Sequence, residues 1–192
     1  AGIAALLLQA HPDYTPLDVK ATLMNTADQL NDKYSVYEVG AGRVDAYEAV
    51  HAGVSLEVLD TTDTMIGNKM KTIKETTGAI SFGTFTSTGI NREDHRNVLL
   101  RNDSKDTKVF DVKVAYQSSR ISKDAVKNNV KITVDSELKV KAGQQKKHAV
   151  FIDIPANAEK GTYEGYIIYT NKQNPDETYQ IPFAARFVEE GI

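Results

Sequence analysis

Four histidines are the residues of this chain best suited to acid–base, nucleophilic or metal chemistry: His11, His51, His95 and His148. A hydroxyl nucleophile needs a histidine base and an orienting carboxylate within hydrogen-bond reach, and no serine here lies in a Gly-x-Ser-x-Gly turn. No two histidines have the i, i+4 spacing of a helical zinc site. We expect His11 in a turn, His51 near a helix C-terminus, and His95 and His148 in charged, solvated surroundings. The histidines therefore predict neither a catalytic residue nor a metal site.

Three further patterns resemble binding sites, and each has a simpler interpretation. Gly40 and Gly42 share the spacing of a phosphate loop, but without a third glycine or a preceding strand they favour close backbone packing. Asp60 and Asp63 supply too few oxygen ligands for calcium, which favours a polar loop. A group of lysines is expected on the solvated face of a sheet rather than on a polyanion site: Lys139, Lys141, Lys146 and Lys147. We predict no cofactor.

The composition excludes several classes of protein. The chain has 192 residues, 41% of them hydrophobic, which is enough to build an ordinary core. It contains no cysteine, so it has no disulfide framework, thiol nucleophile or cysteine-bound zinc. A net charge of −3 from 23 basic and 26 acidic residues favours neither a nucleic acid nor an anionic membrane as partner. We expect no membrane span, because no apolar run approaches the necessary length of about 20 residues.

Residues 1–10 form a helical pattern that is apolar around most of its circumference. Leaving Ile3, Leu6, Leu7 and Leu8 in water would forgo roughly 6–12 kcal/mol of burial free energy. We expect this helix to be wrapped by protein that precedes residue 1, so that the chain is a piece of a larger protein. Where that partner is missing, residues 1–10 are predicted to drive self-association.

Two capped helices are predicted to follow. Thr15 is a good N-cap, Pro16 suits the first helical position, and Asp18 completes an acidic capping turn. Asp45 can cap the next helix, with Glu48 reaching back to the Asp45 amide as a capping box. The first of these helices is expected to bury one apolar face, made of Leu17, Ala21, Leu23, Met24 and Ala27.

Three stretches in this order carry a family resemblance. They are Ala-Gly-Ile-Ala-Ala-Leu-Leu-Leu-Gln followed by His-Pro, then Thr-Pro-Leu-Asp-Val-Lys-Ala-Thr-Leu-Met-Asn-Thr-Ala-Asp, then Gly-Ala-Gly-Arg-Val-Asp-Ala-Tyr-Glu-Ala-Val. Over about the first 53 residues the chain resembles the C-terminal end of a subtilisin-type serine protease domain. The resemblance implies that the nucleophilic serine lies just before residue 1, and that the catalytic aspartate, histidine and oxyanion asparagine lie further upstream. It implies an exported endopeptidase, of which this piece alone is inactive.

The second half of the sequence alternates apolar and polar residues in short runs, a pattern typical of strands with one solvated face. About seven main strands at this spacing predict an antiparallel β-sandwich over residues 79–192. Tyr163 is expected to donate its hydroxyl hydrogen bond to the preceding loop as a corner tyrosine. The candidate strands are 81–85, 97–101, 107–116, 130–134, 138–141, 150–154, 163–169 and 179–187.

This half resembles the fibronectin type III-like domain that follows the catalytic module in multidomain extracellular subtilases. Ser81-Phe82-Gly83-Thr84-Phe85 and Gly161-Thr162-Tyr163-Glu164-Gly165 carry the resemblance. Residues 54–78 are predicted to be a linker or a β-hairpin around Gly67-Asn68-Lys69. The predicted fold class is therefore α+β, with subtilisin-like helices over residues 1–53, the linker or hairpin, and then the sandwich.

Two functions are compatible with these patterns. The first is a non-catalytic C-terminal part of a secreted or cell-wall-associated subtilisin-like endopeptidase. It would complete the protease core and supply an accessory sandwich, with the catalytic module and the protein or peptide substrates of the parent as partners. The second is a free-standing extracellular binding or adhesion module that uses polar loops at residues 91–96 and 120–129.

Overall fold

The computed structural model describes residues 1–30 and 34–191. Its helices are α1 (Gly2–Ala10), α2 (Pro16–Asn25), α3 (Val36–Val39) and α4 (Ala46–His51). Its strands are β1 (Val54–Ile66), β2 (Lys69–Thr77), β3 (Ile80–Thr86), β4 (Arg92–Asn102), β5 (Lys108–Gln117), β6 (Lys131–Thr133), β7 (Glu137–Val140), β8 (Gln145–Ile154), β9 (Gly161–Asn171) and β10 (Thr178–Val188). The predicted segment 1–53 includes residues 31–33, and the predicted segment 79–192 includes Ile192, which lie outside the described residues.

The strands form two five-stranded sheets. The first sheet has the order β2-β1-β4-β8-β6, and the second has the order β3-β10-β9-β5-β7. All neighbours pair antiparallel except β3 and β10, which pair in parallel. The prediction of a seven-stranded, wholly antiparallel sandwich was therefore wrong in strand number and in direction. Alternation shows which side chains face the core, but it does not select the neighbouring strand.

The core lies between the two sheets and follows the predicted alternation. Leu56, Val98 and Leu100 of the first sheet and Phe110 and Ile181 of the second sheet are among its fully buried members. Apart from β2, which contributes no residue, the strands contribute mainly alternate residues to this layer, as expected for sheets that are solvated or covered on their outer faces.

Tyr163 lies at the start of β9, where the chain leaves a polar turn. Its ring is buried and its hydroxyl donates a hydrogen bond of 2.6 Å to the carbonyl of Glu159. Burial raises the pKa of this phenol to about 12. The predicted corner tyrosine is confirmed, and it fixes the entry of β9 into the second sheet.

The helix caps largely follow the sequence. The Asp18 amide donates to the Thr15 hydroxyl at 3.2 Å and the Thr15 amide donates to the Asp18 carboxylate at 2.6 Å, which confirms the cap of α2. The Glu48 amide donates to the Asp45 carboxylate at 2.8 Å, so Asp45 caps α4 with one bond of the predicted box. Helix α3 was not predicted, and it carries its own capping box between Ser35 and a glutamate three residues later.

The buried face of α2 differs from the predicted one. Leu17 is exposed, while the polar side chains of Asp18, Thr22 and Asn25 are buried. Helix α2 packs on the outer face of the first sheet, where the side chains that alternate with the core positions of β1 are also polar, as at Glu57. The two surfaces match each other in polarity, and this match cannot be read from the helix alone.

Strand β1 belongs to the sandwich at its start and leaves it at its end. Residues 54–59 pair with β4 and contribute Leu56 and Val58 to the core, while residues 58–66 pair with β2. Residues 60–77, which we call the ribbon, reverse at Gly67-Asn68, where Gly67 has a φ of 63°. The division of the chain at residues 53 and 78 stays a prediction.

Candidate functional site

Three of the four histidines lie on separate elements and contact aromatic rings. His11 stacks on Tyr14 with centroids 4.4 Å apart, and His51 stacks on Tyr47 at 4.2 Å. The exposed His95 stacks on Phe151. Within residues 1–30 and 34–191, no group of three or more histidine, aspartate or glutamate side chains is placed to hold a metal ion.

His148 is buried, which corrects the prediction that it is solvated. Its Nε2 lies 2.7 Å from the hydroxyl of Tyr169, and burial lowers the pKa of the imidazole to about 4. Burial also raises the pKa of the Tyr169 phenol. The neighbouring lysines predicted a solvent-exposed position. However, His148 lies on the same face of β8 as Val150, so its side chain faces the core. The neutral imidazole of His148 thus links the first sheet to the second through its hydrogen bond with Tyr169.

The other candidate sites also have structural explanations. A side chain at Gly42 would overlap the carbonyl of Asp28, and Gly42 has a φ of 119°, so close backbone packing requires glycine there. Asp60 forms an ion pair with Arg96 at 3.5 Å, while Asp63 accepts a hydrogen bond from Thr72. The parity of Asp60 and Asp63 places them on opposite faces of the ribbon, where they cannot share a cation.

The positions of the predicted lysine group and of one predicted loop also follow from the strands of the two sheets. Lys139 and Lys141 are exposed and alternate with the buried Leu138 and Val140, as predicted. Residues 92–96, predicted to be a recognition loop, instead form the first half of β4 and pair with β8. Charged strands at a sheet edge and polar loops have similar composition, which explains the error.

A buried carboxylate joins the helical segment, residues 1–51, to the second sheet. Glu164 on β9 is 1% exposed. It accepts hydrogen bonds from the hydroxyl of Ser35 at 2.6 Å, the amide of Val36 at 3.0 Å and the hydroxyl of Ser119 at 2.9 Å. Three donors from two parts of the chain satisfy this one group, so the start of α3 is fixed to the sandwich.

Two buried amide side chains form a second connection. The Gln180 amide on β10 donates to the carbonyls of Ala27 at 2.8 Å and Ala41 at 2.6 Å. The side chain of Asn25 on α2 donates to the main-chain carbonyl of Gln180 at 3.4 Å and accepts from the main-chain amide of Leu56 at 2.8 Å. These bonds tie α2 and the loop around Ala41 to both sheets at once.

A charged cluster lies where α2 crosses the first sheet. The guanidinium of Arg101 is 3.3 Å from Asp18, 3.5 Å from Glu57 and 3.1 Å from Asp103, and it lies over the ring of Tyr14. Burial, together with the neighbouring carboxylates, raises the pKa of Glu57, whereas hydrogen bonds from Thr15 keep the pKa of Asp18 low despite burial. One cation shared by three carboxylates makes this a second polar anchor for α2.

The helical segment leaves an unusual number of apolar side chains in solvent. Leu7 of α1 is fully buried against Tyr14 and Val19, but its neighbours Leu6 and Leu8 are 52% and 42% exposed. Eight of the sixteen large apolar side chains that are exposed in the described residues belong to this segment. They are Leu6, Leu8, Leu17, Leu30, Tyr34, Tyr37, Val44 and Tyr47. The helical segment thus carries half of the exposed large apolar side chains in about a quarter of the described residues.

Residues 1–42 match the model of the subtilase family of peptidases, so this part of the chain is similar to a segment of that family. The match covers the stretch in which α1, α2 and α3 lie. No helix among the described residues is long and apolar enough to cross a membrane.

Several solved structures are similar to parts of this chain. A family 123 glycoside hydrolase from Clostridium perfringens is 14% identical with a TM-score of 0.41, and the match covers 58% of this chain and 23% of the hydrolase chain. A PapD-like domain of human CEP192 is 12% identical with a TM-score of 0.40, and the match covers 59% of this chain and 84% of the CEP192 domain. The secreted serine protease VesC from Vibrio cholerae is 9% identical with a TM-score of 0.37, and the match covers 70% of this chain and 24% of the VesC chain.

Proposed function

We propose that this chain is the non-catalytic C-terminal part of a secreted subtilisin-like serine endopeptidase. The observation that carries the proposal is the coincidence of two features in one segment. The residues that match the subtilase family model, 1–42, also hold six of the eight exposed large apolar side chains of the helical segment. A segment that evolved inside a protease domain would keep apolar side chains for the rest of that domain to bury.

Helix α1 supports this proposal most directly. Its buried side, at Leu7, packs against α2, while Leu6 and Leu8 leave about half of their surface in solvent. Burying that exposed half of two leucines on a catalytic module would contribute roughly 1.5–3 kcal/mol of transfer free energy. In this arrangement the helical segment completes the protease core.

The sandwich then serves as an accessory module, of a fibronectin type III-like kind, held rigidly by the Glu164, Gln180 and Arg101 contacts. Because the Glu164 and Gln180 contacts are buried, we expect the helical segment to keep a fixed position on the sandwich. We propose that it braces the catalytic module or contacts protein and peptide substrates of the parent enzyme, outside the cell or at the cell wall. We expect the chain alone to be inactive.

Two experiments test this function. The coding sequence immediately upstream of residue 1 should encode a Gly-Thr-Ser motif of the subtilisin kind, and a linker or a repeated sandwich there would contradict the proposal. The purified chain should not react with a fluorophosphonate probe for active serines, read by intact-protein mass spectrometry. Stoichiometric labelling of any serine would show a catalytic site in the chain and overturn the proposal.

A free-standing binding or adhesion module is the second candidate. It is favoured by one observation: the connection between β5 and β6 exposes Ile121 and Val126 among polar residues. An upstream sequence without protease motifs, together with monomeric behaviour of the chain, would favour this function.

A further inference from the structure

The far end of the ribbon combines apolar and basic side chains that face solvent. Met65 and Met70 are 61% and 63% exposed, and Ile66 and Ile73 are also exposed. Between residues 64 and 74 there is no acidic residue. The same stretch holds three lysines, Lys69, Lys71 and Lys74.

The register places the apolar side chains on both faces of the ribbon. Met65 pairs with Met70 on one face, whereas Ile66 pairs with Lys69 on the other. The turn at Gly67-Asn68 forms the tip between them. A flat protein surface would cover only one of these faces. A medium that surrounds the tip covers both, and a lipid bilayer is such a medium.

The ribbon separates from β4 after Leu59. Strand β1 stops pairing with β4 at Leu59, so residues 60–66 run on with β2 as their partner. Seven residues of strand reach about 24 Å at about 3.4 Å per residue. Charges are screened over about 8 Å at physiological ionic strength. The net charge of −3 on the whole chain, which argued against an anionic membrane, therefore has little effect at the tip.

We propose that the tip of the ribbon inserts into the headgroup region of an anionic lipid bilayer. The side chains of Met65, Ile66 and Met70 enter the interface, and the lysines contact lipid phosphates while their methylene stems lie along the apolar boundary. Lysines near an anionic surface contribute about 1 kcal/mol each, so each lysine removed should weaken binding roughly fivefold. Membrane attachment of this kind is independent of the proposed protease role.

The experiment is co-sedimentation of the purified chain with phospholipid vesicles. Vesicles of phosphatidylglycerol and phosphatidylcholine should bind the chain, and pure phosphatidylcholine vesicles should bind it at least tenfold more weakly. Lys69→Gln with Lys71→Gln should reduce the partition coefficient about 25-fold, and Met65→Ser with Met70→Ser should reduce it at least tenfold. The matched control is Val126→Ser with Lys127→Gln, an exposed pair outside the ribbon that should leave binding unchanged.

Helix α1 is a further exposed apolar site, so Leu6→Ser with Leu8→Ser forms another arm of the experiment. Loss of binding in that variant but not in the ribbon variants would overturn the proposal, as would equal binding to neutral and anionic vesicles or no binding to either. If the lysine substitutions weaken vesicle binding but the methionine substitutions do not, charge alone binds the tip to the membrane and the proposed insertion is wrong. All substituted positions are exposed, and circular dichroism confirms that each variant is folded.

A fluorescence measurement tests insertion separately. The chain contains no tryptophan, so Ile66→Trp would introduce a single reporter at the tip. On anionic vesicles its emission should shift to the blue, and lipids brominated near the headgroup should quench it. The control Ile90→Trp, at an exposed position on the sandwich, should show neither effect. An unshifted tryptophan emission from the vesicle-bound Ile66→Trp variant would contradict insertion.

Discussion

The carboxylate of Glu164 accepts a hydrogen bond of 2.6 Å from the hydroxyl of Ser35, a residue 129 positions earlier in the chain. The same carboxylate also accepts hydrogen bonds from the amide of Val36 and the hydroxyl of Ser119. A single buried group thus connects the segment that matches the subtilase family model, the second sheet and the connection between β5 and β6. Together with the Gln180 and Arg101 contacts, it fixes the position of the helical segment on the sandwich.

Replacing Glu164 by alanine should destabilise the chain strongly. The donors of Ser35, Val36 and Ser119 would lose this acceptor, and a buried group left without a partner costs about 1–3 kcal/mol. We expect a loss of at least about 3 kcal/mol in the free energy of unfolding, measured by urea denaturation. Glu93→Gln, at an exposed position of β4, should change it by less than about 0.5 kcal/mol. A loss under about 1 kcal/mol for Glu164→Ala would show that the network does not hold the segment.

His148 should make the chain sensitive to mild acid. Burial lowers its pKa to about 4, from 6.5 in the unfolded chain, so the folded state disfavours the charged imidazole. The contribution to stability is complete above pH 6.5 and is lost as the pH falls toward 4, by about 3 kcal/mol in total. Urea midpoints measured between pH 7 and pH 4 check this fall.

The variant His148→Gln keeps a polar partner for Tyr169 but cannot titrate. Its stability should depend less on pH between 6.5 and 4 than that of the natural chain. The matched control His95→Gln removes an exposed imidazole and should leave the pH dependence unchanged. Identical pH profiles for all three proteins would contradict the placement of His148 in the core.

Glu57 should give stability the opposite pH dependence, with stability falling as the pH rises. Burial and the carboxylates of Asp18 and Asp103 raise its pKa above the usual range, against the influence of Arg101. A raised pKa gives stability that is present below the unfolded value and is lost as the pH rises through the folded value. Glu57→Gln should therefore raise the urea midpoint at pH 7 but not at pH 4. Glu75→Gln, an exposed position on β2, is the control and should raise neither midpoint.

The predictions that succeeded rest on local chemistry. Thr15 and Asp45 cap helices because each needs only the amide three residues later, and Tyr163 bonds to a carbonyl four residues earlier. The strands were predicted because alternation is a property of one strand by itself. Helix α3 was missed although Ser35 is followed three residues later by Glu38, a capping signal that was present in the sequence.

The predictions that failed depend on distant residues. The parallel pairing of β3 with β10 joins segments about 100 residues apart, and no pattern within β3 specifies it. His148 is flanked by lysines, yet its parity on β8 turns it into the core. The burial of Glu164 needs donors from Ser35 and Ser119, which are invisible to a local pattern. The contacts between the helical segment and the sandwich were therefore the least predictable part.

Exposed leucines on α1 should make the isolated chain associate with itself. Leu6 and Leu8 project from a helix whose opposite side is already packed at Leu7, so two copies can bury these side chains only against each other. Sedimentation velocity should show a concentration-dependent dimer or larger species that Leu6→Ser with Leu8→Ser reduces at least tenfold in association constant. The control Ile90→Ser, which removes an equally exposed apolar side chain from the sandwich, should leave association unchanged. Monomeric behaviour of the natural chain at high concentration would mean that α1 does not need a covering partner, and would weaken the proposed link to a catalytic module.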